Sequence, residues 1–308
     1  MSTIFNVPQS MIYGLLLAVL AALLWSTTGV LCSKVSKEKI SLLSFFAVTS
    51  FFGTVMSLMT VRWSVLDVGE LGDLSLLLLV MAIAGLLSQS GTFLMIRGMK
   101  TGHSAATWTI GQSALILPAM FAVFYWKEHF KLVQYVGLTM IVFGIYLLAN
   151  RREKSQRKDC DLTDKWIVNS IGCFMFFGLC QILLLVPSHW ESISGAADLR
   201  VPFIMGPSAI ILAVLCLIFR KGISKACLKM ALPFSICAVA GQRSFFAAAD
   251  MLTQNDLSSI TFPIAIGGSV LGVSVYSHFV AKERFSLTGW GGIALALTGI
   301  ALISLVKV

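Results

Sequence analysis

The sequence is poor in charge. Only 12% of its 308 residues are Asp, Glu, Lys or Arg, whereas 57% are hydrophobic. A soluble globular domain carries about 25% charged residues. The apolar residues also gather in long runs that short polar connections separate. We therefore predict an integral membrane protein and exclude a soluble domain of this length.

The sequence also lacks the common catalytic and nucleotide-binding motifs. It has no HExxH, no GxSxG and no P-loop, and no His and acid are paired at helical spacing inside an apolar run. The seven cysteines are scattered without a CxxC pair, so we expect buried thiols, no disulfide framework and no metal site. These absences argue against an enzyme and against a cofactor.

Ten apolar stretches are each long enough to cross a bilayer as a helix, which takes about 20 residues. The first stretch follows an N-terminus without Lys or Arg, so we expect a retained helix and not a cleaved signal peptide. The stretches lie at 11–33, 41–62, 74–97, 102–125, 131–150, 166–186, 200–219, 229–253, 257–281 and 286–306.

The basic residues are distributed unevenly between the two faces of this arrangement. The loops after the odd-numbered stretches carry 17 of the 23 Lys and Arg residues, and the opposite face carries 5. The positive-inside rule therefore places these loops, with the linker 151–165, in the cytoplasm and both termini outside. The same distribution accounts for the net charge of +9 without a nucleic-acid partner.

An internal repeat relates the two halves of the chain. The segment Lys127-Glu128-His129-Phe130 recurs 155 residues later as Lys282-Glu283-Arg284-Phe285. Each half then holds five helices, and because five is odd, the second copy enters the membrane from the opposite side. We predict an all-α membrane fold of ten helices in two inverted five-helix repeats, 11–150 and 166–306, joined by the cytoplasmic linker 151–165. The offset also superposes Ser104 on Ser259, Gly137 on Gly292 and Gly144 on Gly299.

In these features the chain resembles the ten-helix drug/metabolite transporter superfamily, whose members have two EamA-like halves. The resemblance covers nearly all of residues 11–306. It rests on Glu128 and Glu283, each followed by a helix with Gly-x6-Gly spacing. It implies a secondary transporter that moves a small polar organic metabolite by alternating access, proton-coupled or facilitative, through a central cavity between the repeats.

Two features depart from the family pattern. Relatives often carry a proline within helices 4 and 9, where this chain has Gln112-Ser113 and Gly267-Gly268. Many relatives also have cytoplasmic termini, whereas the Lys and Arg count here predicts the reverse. Trp25-Ser26, with Ser33-Lys34-Val35 at the end of the first helix, is similar to the rhamnose and glucose uptake branch.

The resemblance implies a multi-pass protein of the bacterial cytoplasmic (inner) membrane, a monomer or homodimer, with a small-molecule substrate and H+ as the candidate coupling ion. It leaves sugar:proton uptake and amino-acid or metabolite export as alternatives. A flippase for lipid-linked substrates is the alternative from another class. Such a protein would favour a lateral groove that is open to the membrane. The sequence shows no acidic ring or filter, which disfavours a channel.

Polar residues inside apolar helices are the candidates for the substrate site, because they need inward-facing partners or a wet cavity. Arg243 is the strongest candidate. It is either a ligand for a carboxylate, phosphate or sugar hydroxyl, or a structural cation that holds helices together. Trp25 fits stacking against a solute and interior packing equally well. The predicted substrate-binding residues are Trp25, Gln89, Trp108, Gln112, Gln181, Arg243 and Phe262.

Coupling and structural roles fall to residues nearer the helix ends. Asp250 is the candidate protonatable group, and Tyr276 and His278 are candidates for coupling or gating. We interpret Glu128 and Glu283 as structural helix caps, since a carboxylate favours a helix N-terminus. The Gly137 and Gly292 faces and the pair Gly268 and Gly272 suit close helix packing in lipid.

Overall fold

A computed structural model describes residues 9–63, 71–125, 127, 131–149, 160–186, 198–253, 261, 263–283 and 286–304. Every regular element in these ranges is helical, which confirms the all-α prediction for the described chain. The α-helices are α1 (Gln9–Lys37), α2 (Leu42–Met59), α3 (Leu71–Thr101), α4 (Ser104–Gln112), α5 (Ile116–Tyr125), α6 (Leu132–Ala149), α7 (Cys160–Leu185), α8 (Arg200–Ile218), α9 (Lys225–Thr253), α10 (Gly268–Phe279) and α11 (Leu287–Ser304).

Several of these helices are long and apolar enough to cross a membrane. Among the described residues there are six such segments, and shorter apolar helices cover Leu132–Leu148, Ile264–Phe279 and Leu287–Leu302. The helix α9 is not among them, and its sequence includes Lys225, Lys229 and Arg243. The six segments are Gln9–Lys37, Leu42–Met59, Leu71–Thr101, Ser104–Tyr125, Asp164–Leu184 and Arg200–Ile218.

The chain forms two compact units, and each draws on both halves of the sequence. The first unit comprises residues 1–30, 129–151 and 240–308, and the second comprises residues 31–128 and 152–239.

In the first unit, α6 and α11 cross at glycines. A Cβ atom added to Gly144 would lie 2.8 Å from the carbonyl oxygen of Gly292, and one added to Gly299 would lie 2.5 Å from that of Gly137. Only glycine lets the two backbones approach this closely. The same holds for Gly268 of α10, where an added Cβ would lie 2.8 Å from the Cβ of Ala22. The predicted packing role of these glycines is confirmed.

In the second unit, polar contacts join helix ends at two opposite ends of the bundle. At one end the Ser33 and Ser104 hydroxyls lie 2.9 Å apart, and Ser44 Oγ donates to the carbonyl of Gly222 at 3.1 Å. At the other end, Arg62 pairs with Asp198. The helices α2 and α8 therefore run in opposite directions. The first end is the more basic one: it holds Lys34, Lys37, Lys39, Arg97, Lys100, Lys165, Arg220, Lys221, Lys225 and Lys229.

Two helical segments are interrupted at positions that the repeat relates. The helix α4 ends at Gln112, and a 3₁₀ turn, Ser113–Leu115, precedes α5. A π-helical turn, Pro263–Gly267, precedes α10, which begins at Gly268. The two junctions lie 155 residues apart, which is the offset of the sequence repeat. A mid-helix turn of either kind is typical of a hinge or a functional site.

The backbone repeats at a second pair of positions. Lys127 has φ 55° and Lys282 has φ 56°, a left-handed conformation that is rare for residues other than glycine. These are the lysines of the Lys-Glu motif that revealed the repeat. The two lysines therefore match in backbone conformation as well as in sequence.

Candidate functional site

A narrow cavity lies between four helices of the second unit. Its volume of about 20 Å³ accommodates about one water molecule. Two of the helices, α2 and α3, come from the first half of the sequence, and two, α8 and α9, come from the second half. The lining residues are Thr49, Gly53, Gln89, Met205, Phe234, Ser235, Ala238 and Val239.

Gln89 provides the amide of this cavity. It is half-buried on α3, and its Nε2 donates a hydrogen bond of 3.0 Å to the hydroxyl of Ser50 on α2. Ser50 is fully buried. This bond uses one of the two amide protons, so the amide can offer a second proton and its oxygen to an occupant.

The hydroxyl groups of the cavity donate to backbone carbonyls. Ser235 Oγ lies 2.8 Å from the carbonyl oxygen of Ala231 and 3.0 Å from that of Thr49, and Thr49 Oγ1 donates to the carbonyl of Phe46 at 3.0 Å. A hydroxyl has one proton to donate, so each can present only oxygen lone pairs to an occupant.

The remaining wall is apolar. The Phe234 ring packs edge-on against Phe45, with ring centroids 5.4 Å apart. Met205 lies against Gly53, where an added Cβ would be 3.3 Å from the methionine sulfur. A flexible thioether beside a glycine is a wall that can adapt its shape.

The other predicted glutamines of this unit lie away from the cavity lining. Gln112 is half-buried at the end of α4, next to the 3₁₀ turn, and Trp108 on the same helix is only 4% exposed. Gln181 is half-buried on α7, and its Oε1 is buried without a hydrogen-bond partner among the described residues. These three residues do not line the cavity.

Trp25 belongs to the first unit and packs against α9. Its ring centroid lies 5.2 Å from that of Phe245, and an added Cβ at Gly241 would be 2.8 Å from its indole. The hydroxyls that follow Trp25 donate to carbonyls of their own helix: Ser26 to Ala22, Thr27 to Leu23 and Thr28 to Trp25. These contacts agree with interior packing, the second of the two interpretations.

Arg243 lies in the same unit, on α9. The residue is half-buried and its Nε atom is buried, as a cation at this depth of an apolar helix requires. Asp250 lies on the same helix, but its side chain is outside the described part of the chain. Phe262 and Glu128 are outside the described residues altogether.

Residues 12–150 match the model of the EamA-like transporter family. The match covers less than half of the chain, so it shows similarity to this family over that segment. The family consists of membrane transporters and is not a family of enzymes, so the resemblance drawn from the sequence is confirmed over these residues. The six membrane-capable helices among the described residues make the chain a multi-pass integral membrane protein.

The fold is also found in solved structures. Similarity extends to 22 chains of known structure. One of them, described as a crystal structure of protein, has a TM-score of 0.60 and 15% identity, and the match covers 95% of this chain and 98% of the other. At this identity the likeness shows the fold alone. No match occurs among curated proteins.

Three of the predicted coupling and motif residues, Tyr276, His278 and Glu283, lie near the connection from α10 to α11. Tyr276 is half-buried, and His278 is exposed, with its ring 4.9 Å from Phe279 and 5.6 Å from Trp290. The backbone N–H of Glu283 donates to the carbonyl of Ser277 at 2.8 Å, so this residue belongs to the turn that ends α10.

Among the predicted substrate-binding residues that the structure describes, only Gln89 lines the cavity. The sequence analysis missed the residues that face it, especially Thr49, Gly53 and Ser235. The available signal was their small size and polarity on otherwise apolar helices. That signal also fits helix packing, and only the arrangement of α2 against α9 separates the two uses.

Proposed function

We propose that this protein is a secondary transporter that moves a small polar organic metabolite by alternating access, and that its substrate site forms when the one-water Gln89 cavity widens. The observation that carries the proposal is the lining of this cavity by helices from both halves of the sequence. In carriers built from inverted repeats, the substrate site lies at the interface of the repeats, and rocking of one repeat against the other exposes it to each side.

The ten-helix inverted repeat belongs to the same proposal. It is supported by the helix junctions at Gln112 and Gly267 and by the left-handed lysines, since both pairs keep the offset of 155 residues. An interrupted helix at matching places in two halves is the usual mark of a carrier whose helices re-form around a site.

The cavity favours an uncharged solute with hydrogen-bond donors. None of its eight lining residues is ionisable. Its two hydroxyls present lone pairs, and a carboxylate or phosphate placed there would lose hydration without a compensating charge. Hydroxyl, amine or amide groups of a neutral solute would instead donate to these oxygens while Phe234 and Met205 contact its carbon skeleton.

Transport is either facilitative or coupled to protons. Asp250 is the only acid within the ten predicted spans, so it is the candidate proton carrier. The excess of Lys and Arg at one end of the second unit supports a cytoplasmic linker and outward termini in a bacterial inner membrane.

Thermal unfolding of the detergent-purified protein against panels of neutral and anionic solutes tests this proposal. A ligand that binds only the folded protein raises its stability by RT ln(1 + [L]/Kd). We expect a neutral solute to stabilise the wild type and the matched control Gln181→Met, and to lose most of this effect in Gln89→Met.

Other outcomes contradict the assignment in different ways. Full ligand stabilisation of Gln89→Met would exclude the cavity as the site. If anions alone stabilise the protein and Arg243→Ala abolishes this effect, the substrate site is at Arg243 and not at Gln89. Stabilisation by lipid-linked compounds and by no soluble solute would favour the flippase.

A further inference from the structure

An ion pair joins α2 to α8 at the less basic end of the second unit. Arg62 follows α2 and Asp198 precedes α8. The carboxylate accepts three hydrogen bonds from Arg62: from Nε at 2.9 Å, from Nη2 at 3.4 Å and from the backbone N–H at 3.3 Å. Two side-chain donors on one carboxylate hold the helix ends in a defined geometry.

A buried apolar layer adjoins this ion pair. Val61 and Leu199, the chain neighbours of the two charged residues, are each 6% exposed. They belong to one buried cluster with Leu77, Met81 and Ile204. A hydrophobic constriction of this kind excludes water and ions from the space beneath it.

The same two helices connect the layer to the cavity. Met205 packs against the cluster and also lines the cavity. Gly53 of the cavity lies on α2, and Val61 of the layer follows the end of the same helix. Through Met205, the apolar layer therefore borders the cavity.

We propose that the Arg62–Asp198 pair and the Val61–Leu199 layer form a gate that closes the Gln89 cavity at this end, an assignment that rests on the proposed transport function. The pair is the latch and the apolar layer is the seal. Arg62 is 74% exposed and Asp198 is 18% exposed, so water can replace the bonds of the latch when α2 and α8 separate. The structure is thus of a state closed at the less basic end.

Thiol accessibility tests the gate without knowledge of the substrate. A Ser235→Cys variant reports on the cavity, with labelling at position 235 quantified by mass spectrometry so that the native cysteines remain in place. A membrane-impermeant thiol reagent is applied to vesicles from one side. Ser75→Cys, exposed at the gate end, and Lys221→Cys, exposed at the basic end, identify that side.

We expect slow labelling of Ser235→Cys from the side on which Ser75→Cys reacts. Arg62→Ala should raise this rate by roughly twofold to fivefold, the effect on a two-state equilibrium of losing a partly exposed ion pair. Asp198→Ala should raise it further, because it removes the acceptor of all three bonds. The charge-reversed double variant Arg62→Asp with Asp198→Arg should return the rate towards that of the parent.

Three outcomes would overturn the gate: parent labelling as fast as that of Ser75→Cys, single variants that label at the parent rate, or a double variant that labels as fast as the singles. Arg62→Gln gives a second test with a milder change. The proposed function is tested separately by ligand binding to Gln89→Met. The experiments can therefore contradict the gate while supporting the substrate site. The reverse result is equally distinguishable.

Discussion

Two glutamines in apolar helices of the second unit differ in what their amides contact. Gln89 donates to Ser50 and lines the cavity, whereas the Oε1 of Gln181 is buried without a hydrogen-bond partner among the described residues. A buried hydrogen bond stabilises a protein modestly, but a buried polar atom left unsatisfied costs more than the bond is worth. The two amides therefore contribute to stability with opposite signs.

Replacing each glutamine with methionine should reveal this difference. Gln181→Met removes an unsatisfied acceptor and keeps the side-chain length, so we expect the free energy of unfolding to rise by about 1 kcal/mol. Gln89→Met leaves the buried Ser50 hydroxyl without its partner and should lower the free energy of unfolding by about 1 kcal/mol. Thermal unfolding in detergent measures both. A larger loss in Gln181→Met than in Gln89→Met would contradict this account of the two amides.

Sequence reasoning could select these residues but could not rank them. An amide within an apolar helix needs a partner, and this argument applies equally to Gln89, Gln112 and Gln181. Which one meets a hydroxyl depends on the helix that packs opposite, which the local sequence does not reveal. The same limit applies to Trp25, whose neighbour Phe245 is 220 residues away in the chain.

At the scale of helices, two spans are interrupted where the sequence departs from the family pattern. At Gln112-Ser113 and Gly267-Gly268, where relatives often carry a proline, the structure has a 3₁₀ turn and a π turn. Glycine and hydroxyl side chains weaken local helix formation, which accounts for these interruptions without a proline at the same place.

The glycines of α11 give a matched pair for testing helix packing. A Cβ at Gly299 would lie within 2.9 Å of backbone atoms of α6, whereas one at Gly291 would meet no heavy atom within 4 Å. We expect Gly299→Ala to destabilise the protein by about 1–3 kcal/mol through overpacking. Gly291→Ala should stabilise it by about 0.5–1 kcal/mol, since alanine is the better helix former.

Thermal unfolding of the two variants measures this contrast, with the aromatic and the backbone circular dichroism signals followed separately. Equal effects of the two substitutions would show that α6 and α11 do not approach through Gly137 and Gly299. A loss confined to Gly299→Ala supports the glycine crossing.

At the scale of the whole molecule, composition was enough to predict the class of protein. Low charge, ten apolar stretches and the Lys-Glu repeat indicated a duplicated membrane carrier, and the family match covers residues 12–150. The two compact units were not predictable, because each combines segments from both halves of the chain. Long-range packing of this kind depends on side-chain fit between distant helices, which no periodicity of one helix encodes.

The central claim is that solute crosses the membrane through the Gln89 cavity. Counterflow into proteoliposomes tests it directly, with the neutral solute that stabilises the purified protein most as the labelled substrate and the same solute unlabelled inside. We predict exchange by the wild type and by Gln181→Met. The initial rate of Gln89→Met should fall about tenfold, the effect of losing about 1.4 kcal/mol of binding. Exchange by Gln89→Met at the wild-type rate, or none by the wild type above empty liposomes, would contradict the claim.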